Sequence, residues 1–192
     1  MTKNRGVALI VSGPSGVGKG TLISMLMKEF KNIKFSVSYT TRKPREDEIN
    51  GVHYFFVSKE EFQKMIEQDK FAEWAQVHGN FYGTPKQEIE QKLRQGVDVI
   101  FDIDVQGARQ LRGTLSDGEF VFIMPPSMDE LEKRLIKRSS DSHLEIEIRL
   151  KNAEQEVKQS SFFDYIIVND DLERAYESLR CIYLASKLKV RS

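Results

Sequence analysis

The chain has little of what a secreted or metal-built domain needs. Its 192 residues include one cysteine, Cys181, so no disulfide can form within a single copy. The three histidines, His53, His78 and His143, stand far apart, and no Cys/His cluster has zinc-ligand spacing. These absences point to a reducing compartment and a fold without structural metal. An excess of one charge is missing too, because 29 basic and 29 acidic side chains give a formal net charge of zero. That argues against bulk attraction to nucleic acid or an anionic membrane, so any anion must be held by locally arranged groups. No apolar run approaches the length of about 18 residues that a membrane span requires. Behind Met1 to Gly6 the apolar stretch stops at Ser12, too short for a secretory signal. The expectation is a cytoplasmic protein with no nucleic-acid or membrane partner, and a homo-oligomer is left open.

What is there is ordinary globular material, 40% apolar and 30% charged, which excludes a disordered or collagen-like chain. A chain of this length can bury roughly 70% of its unfolded surface, enough for one domain with a core of its own. Short apolar runs alternate with amphipathic stretches. Val7 to Ser12, Val97 to Ile103, Phe120 to Met124 and Tyr165 to Val168 have strand length. Leu22, Ile23, Leu26, Met27 and Phe30 have helical spacing. Thr84, Pro85 and Gln87 read as the capped start of a helix ending before Gly96, and Ser127 with Glu130 as the start of another. A last helix spans about Leu172 to Leu188. Continuous apolar strands joined by helices predict an α/β fold whose central parallel sheet is covered on both faces.

Two stretches interrupt this rhythm. Phe35 to Tyr82 reads as short strands, one helix capped by Ser58 and Glu61, and a hairpin at His78, Gly79 and Asn80. Ser139 to Ser142 is a polar link between a helix carrying Arg134 and Arg138 and a charged helix carrying Arg149.

The chemistry begins at Gly13-Pro14-Ser15-Gly16-Val17-Gly18-Lys19-Gly20-Thr21, between a strand and a helix. A loop of this kind turns its N–H groups and the helix N-terminus toward phosphate, and Lys19 reaches the β and γ phosphates. Gly20 departs from the usual hydroxyl residue after the lysine, and Thr21 comes one position late to bind magnesium. The strand V-D-V-I-F-D-I-D ends in Asp102 and Asp104, candidates to face a magnesium ion.

Several further segments resemble the guanylate kinases of bacterial type, within the P-loop nucleoside monophosphate kinase superfamily. They are Ser36 to Arg45, Asn50 to Phe55, Phe71 to Ala75, Asn80 to Thr84, Asp102 to Gly107, Pro125 to Ser127 and Val168 to Asp171, in order over nearly the whole length. The resemblance implies a three-layer P-loop kinase fold, with a mixed α/β GMP-binding insertion and a helical lid. It divides one domain into a core of about 1–34, 85–125 and 160–192, an insertion of about 35–84 and a lid of about 126–159. The implied reaction moves the γ-phosphate of ATP to GMP, or to dGMP, giving ADP and GDP with magnesium as cofactor.

The implied ATP site is Gly13 to Thr21 with Arg134 and Asn169, and the catalytic set is Lys19, Arg42, Arg138 and Arg149. Ser38, Arg42, Arg45, Tyr54 and Tyr82 would hold the acceptor phosphate. Glu73, Thr84 and Asp104 would read guanine, a carboxylate accepting from N1 and N2 and a hydroxyl donating to O6. Asp102 would meet magnesium, through water, with Thr21 a weaker candidate. The acceptor is an ionised phosphate, so no general base is needed; two anions must be held in line and their charge neutralised. Trp74 and Phe71 are read as core. Rival readings fit less well. A GTPase lacks its Asn-Lys-x-Asp motif here, an adenylate-type kinase leaves Glu73 and Thr40 to Arg45 unexplained, and a non-catalytic scaffold domain would not keep Lys19 and the arginines.

Overall fold

The computed structural model describes residues 5–77, 79–138 and 142–190, without the side chains of Val77 and Arg138. A five-stranded, all-parallel sheet carries the core, in the order β2 (Ile33–Phe35), β7 (Asp98–Asp102), β1 (Ala8–Ser12), β8 (Glu119–Met124) and β9 (Tyr165–Val168). Successive residues of β1 face opposite sides, so Leu9 and Val11 enter one apolar cluster while Ala8 and Ile10 enter another. The first cluster packs on α1 (Lys19–Glu29), α5 (Met128–Arg138) and α7 (Leu172–Leu188). The second packs on α3 (Lys86–Arg94) and α4 (Val105–Thr114). Two covered faces explain why these strands are continuously apolar instead of alternating.

A second sheet of four strands forms between β2 and α3, in the order β4 (Tyr54–Phe56), β3 (Ser38–Thr40), β6 (Asn80–Pro85) and β5 (Phe71–Val77). Its pairing is mixed, parallel between β3 and β4 and antiparallel elsewhere. Aromatic rings fill it: Phe62, from α2 (Lys59–Glu67), stacks on Phe71 at 4.4 Å and on Phe81 at 5.5 Å. Phe71 is buried as expected, whereas Trp74 meets Phe81 yet stays 38% exposed. Val77 pairs with Asn80 across the expected hairpin, with Gly79 at φ 78°; His78 lies outside the described residues. The capping box of Ser58 and Glu61 forms on α2.

Two sequence expectations need correction. Thr84 does not cap α3: it belongs to β6, and the helix begins at Lys86 with Pro85 at its cap position and no side-chain cap. Its hydroxyl is taken by the buried carboxylate of Glu73, which has the greater need of a donor. The box at Ser127 is half formed. Ser127 Oγ accepts from the Glu130 N–H at 3.1 Å, but the Glu130 carboxylate turns to Arg134 at 3.3 Å. Of the polar link Ser139 to Ser142, residues 139–141 lie outside the described residues, while Ser142 with Glu145 caps α6 (His143–Val157).

Candidate active site

The glycine-rich loop leaves the carboxyl end of β1, where ligands of such sheets bind. Gly13 has φ 138°, and a Cβ there would stand 2.3 Å from the carbonyl oxygen of Ile123. Only glycine lets the loop pass this close to β8. Lys19 folds back along the loop, its Nζ donating to the Gly13 carbonyl at 2.6 Å and standing 3.8 Å from Asp102. Asn169 clamps the other side, its Nδ2 donating to the Val17 carbonyl at 2.7 Å in a buried position. Arg134 donates to the Asn169 carbonyl at 3.0 Å, which ties α5 to the same loop. Gly20 meets nothing within 4 Å where a Cβ would stand, so packing does not demand glycine there. Thr21 is exposed on α1.

Asp102 ends β7 beside Val11 of β1. Burial pushes its carboxyl pKa up and Lys19 opposes that shift. Asp104 caps α4, accepting from the Gly107 N–H at 2.7 Å. Among the described residues no group of three His, Cys, Asp or Glu side chains could enclose a metal ion. One carboxylate suits magnesium, which keeps several waters and takes further ligands from substrate phosphates.

Glu73 is 6% exposed and accepts a hydrogen bond from Thr84, which is fully buried. Burial, with help from Asp104 and against the Thr84 bond, raises its pKa to about 7. A register shift between Phe71 and Glu73 aims this carboxylate. A regular strand would send residues two apart to one face; the bulge sends Phe71 into the aromatic cluster beside Gly83 and Glu73 onto the face of Thr84. Ser38 Oγ stands 3.5 Å from Thr84 Oγ1 on the same side.

Tyr54 and Tyr82 meet edge to face at 6.0 Å, and the Arg42 guanidinium lies 5.5 Å from the centre of the Tyr54 ring. Arg42 is also gripped by both oxygens of Glu48, at 2.9 and 2.8 Å. Glu48 accepts from the Arg45 N–H as well, and the two arginines hold its pKa down to about 2, Arg42 foremost. Sequence reasoning passed over Glu48. Its signal was present as the carboxylate ending the acidic run after Arg45.

A cleft of about 760 Å3 opens between these parts, lined by Ser15, Gly16, Arg45, Asp104, Arg149 and Glu156 among others. Arg149 Nη1 stands 3.5 Å from Ser15 Oγ, so α6 reaches across to the glycine-rich loop. Arg134 and Arg42 are directed to Asn169 and Glu48 and are not among the residues lining this cleft. Arg138 is the last residue of α5, and its side chain lies outside the described residues. Glu156 was also overlooked. It follows Arg149 by seven residues on one helix, and such spacing returns a side chain to the same face.

The guanylate kinase family model matches residues 5–185. A guanylate kinase of Nitratidesulfovibrio vulgaris is 54% identical over 183 residues, covering 95% of this chain and 88% of that protein. One from Desulfitobacterium hafniense is 47% identical, covering 100% and 96%. The crystal structure of the guanylate kinase from Anaplasma phagocytophilum superposes with a TM-score of 0.78 at 36% identity, over 98% of this chain and 90% of that one. The match of sequence and fold over nearly the full length shows that this chain belongs to the guanylate kinase family of nucleoside monophosphate kinases.

Proposed function

We propose that the chain transfers the γ-phosphate of ATP to GMP within the cleft between the glycine-rich loop and the second sheet. The observation that carries this reading is the buried pair of Glu73 and Thr84, close to Asp104, on the sheet facing a loop armed with Lys19. Guanine offers donors at N1 and N2 and an acceptor at O6, which this carboxylate complements once the Thr84 hydroxyl turns from Glu73 to O6. Adenine presents no donor at N1 or at position 2, so Glu73 would lose both, a mismatch able to cost roughly four orders of magnitude in specificity.

Arg42, oriented by Glu48, and Arg45, with Ser38, Tyr54 and Tyr82, would hold the acceptor phosphate. Bidentate guanidinium contacts fix its direction as well as its charge. ATP would lie along Gly13 to Thr21, with Lys19 leaving the loop carbonyls for the β and γ phosphates, and with Arg134 and Asn169 beside the adenine. Arg149 spans to Ser15 and would neutralise the group in transfer, with Arg138 as its partner from the lid. Magnesium, when bound with ATP, would neutralise phosphate charge, with Asp102 holding it through water and Thr21 a weaker candidate. No side chain need remove a proton, because the acceptor oxygen is already ionised.

This reading divides the chain into a core of about 1–34, 85–125 and 160–192, a GMP-binding insertion of about 35–84 and a lid of about 126–159. Closure of the lid would exclude water as a competing acceptor. It also makes the protein a cytoplasmic enzyme that accepts dGMP beside GMP. No described helix is long and apolar enough to cross a membrane.

The test is a coupled ADP-release assay with ATP and magnesium, offering GMP, AMP, CMP and UMP separately. Turnover with GMP alone is expected. Turnover chiefly with AMP would overturn the assignments of Glu73 and Thr84, and none with any acceptor, in protein that binds GMP, would indicate a non-catalytic binding domain.

A further inference from the structure

β5 is the outer strand of the four-stranded sheet, so one edge of its main chain has no strand partner among the described residues. An open edge can fray or slip. This one carries Glu73 immediately after a register shift, where the ladder to β6 is interrupted. Thr84 of β6 holds the Glu73 carboxylate from within the sheet, but the outer main-chain edge of β5 needs a partner from elsewhere.

α4 lies along that edge. Gln110 Oε1 accepts from the Trp74 N–H at 3.1 Å, and its Nε2 donates to the Trp74 carbonyl at 2.9 Å. The carboxamide thus pairs with the strand as another peptide unit would. One turn later Thr114 Oγ1 stands 3.5 Å from the Ala72 carbonyl. One turn earlier Gly107 lies against the Glu73 carboxylate, so close that a Cβ would stand 2.9 Å from Oε2. Positions 107, 110 and 114 share one face of the helix. That face meets Glu73, Trp74 and Ala72, and the first turn of the same helix is capped by Asp104. The helix therefore carries one base contact and clamps the strand that carries another.

We infer that Gln110 is a positioning residue for guanine recognition, acting through Glu73 by holding β5 in register against α4. The inference rests on the proposal that Glu73 contacts the acceptor base. Gln110 itself is exposed and touches neither the glycine-rich loop nor the main cleft. Its effect should therefore fall on the acceptor and spare ATP.

The experiment compares steady-state kinetics of the full chain with Gln110→Ala, Gln110→Leu, Glu73→Gln and the double variant Glu73→Gln/Gln110→Ala. Loss of two neutral, solvent-accessible hydrogen bonds should raise KM for GMP by about fivefold in both Gln110 variants. KM for ATP and kcat at saturating GMP should stay within about twofold, and preference for GMP over AMP should shrink in proportion. The thermal midpoint should change by no more than about 2 °C, as for other exposed sites. In the Glu73→Gln background, Gln110→Ala should add nothing further, because the two act as one unit.

A wild-type KM for GMP in both Gln110 variants would overturn the inference. So would equal losses for GMP and ATP with a lowered thermal midpoint, or full additivity with Glu73→Gln. If Glu73→Gln alone leaves GMP binding unchanged, the base-site proposal itself fails. If it impairs GMP binding while the Gln110 variants are normal, only the role of Gln110 is refuted.

Discussion

The Thr84 hydroxyl donates to the Glu73 carboxylate across the β5–β6 pair, and both residues are buried. One hydroxyl only partly offsets the loss of water around a carboxylate, so the Glu73 pKa stands at about 7 instead of near 4.5. An acid of that strength titrates across neutral pH, and this sets the first prediction.

GMP recognition through N1 and N2 needs ionised Glu73, whereas the free protein favours its neutral form below about pH 7. KM for GMP should rise as pH falls from 8 to 6, by about tenfold at the acid end, with KM for ATP much less affected. In Glu73→Gln the profile should flatten. Stability runs the other way: the folded-state pKa lies above the unfolded value, so this contribution is intact below about pH 4.5 and is lost as pH rises through about 7. Thermal midpoints across that range should fall less in Glu73→Gln than in the parent. A flat KM profile in the parent would sink the assignment.

Lys19→Ala removes the one ammonium of the glycine-rich loop, which here folds back on the Gly13 carbonyl. The rate at saturating GMP should drop by at least about 100-fold, the usual cost of deleting a transition-state charge contact. The fold should persist, checked by circular dichroism and GMP binding.

Glu48→Gln leaves Arg42 with a weaker orienting partner. KM for GMP should rise by about three- to tenfold with little change for ATP, since bidentate geometry is what the carboxylate supplies. Because the Glu48 pKa is held near 2, this contact should add no pH dependence between 5 and 9. Initial-rate measurements across that range test both points.

Gly107→Ala separates stability from recognition. Alanine is favoured over glycine inside a helix by about 1 kcal/mol, yet its methyl would press on Glu73 Oε2 at 2.9 Å. The thermal midpoint should hold or rise while KM for GMP increases. A raised midpoint with unchanged KM would contradict the close contact.

Asp98 is a stability test away from the cleft. It is 1% exposed and accepts from the Val7 N–H, Tyr183 and Lys187, joining α7 to the central sheet. Asp98→Ala leaves the Val7 N–H and the Tyr183 hydroxyl without an acceptor, while the partly exposed Lys187 can turn to water, and should cost about 2 to 4 kcal/mol in denaturant unfolding. Turnover of the remaining folded protein should be unchanged.

Much of this molecule is set by local pattern. Four of the five core strands, α7 and the capping box at Ser58 come from period, length and neighbouring cap residues, all of which act over a few positions. The glycine-rich loop is likewise local, because a strand, glycines and a lysine at fixed spacing suffice to define it. The residues that resemble the family motifs named the candidate site, Glu73, Thr84, Arg42 and Asp104 included.

What the sequence could not decide was where each polar group finds its partner. Thr84 had two uses open to it, a helix cap three residues away or a carboxylate eleven residues away, and only pairing of β5 with β6 brings the second within reach. The faces taken by Phe71 and Glu73 depend on a bulge that no strand period contains. Glu48 on Arg42, Asn169 on Val17 and Gln110 on Trp74 are contacts between distant or irregular segments, fixed by packing and by the cost of leaving a buried or edge polar group unsatisfied. Local propensity determined the elements of this protein; burial and hydrogen-bond satisfaction in three dimensions decided how its site residues are aimed.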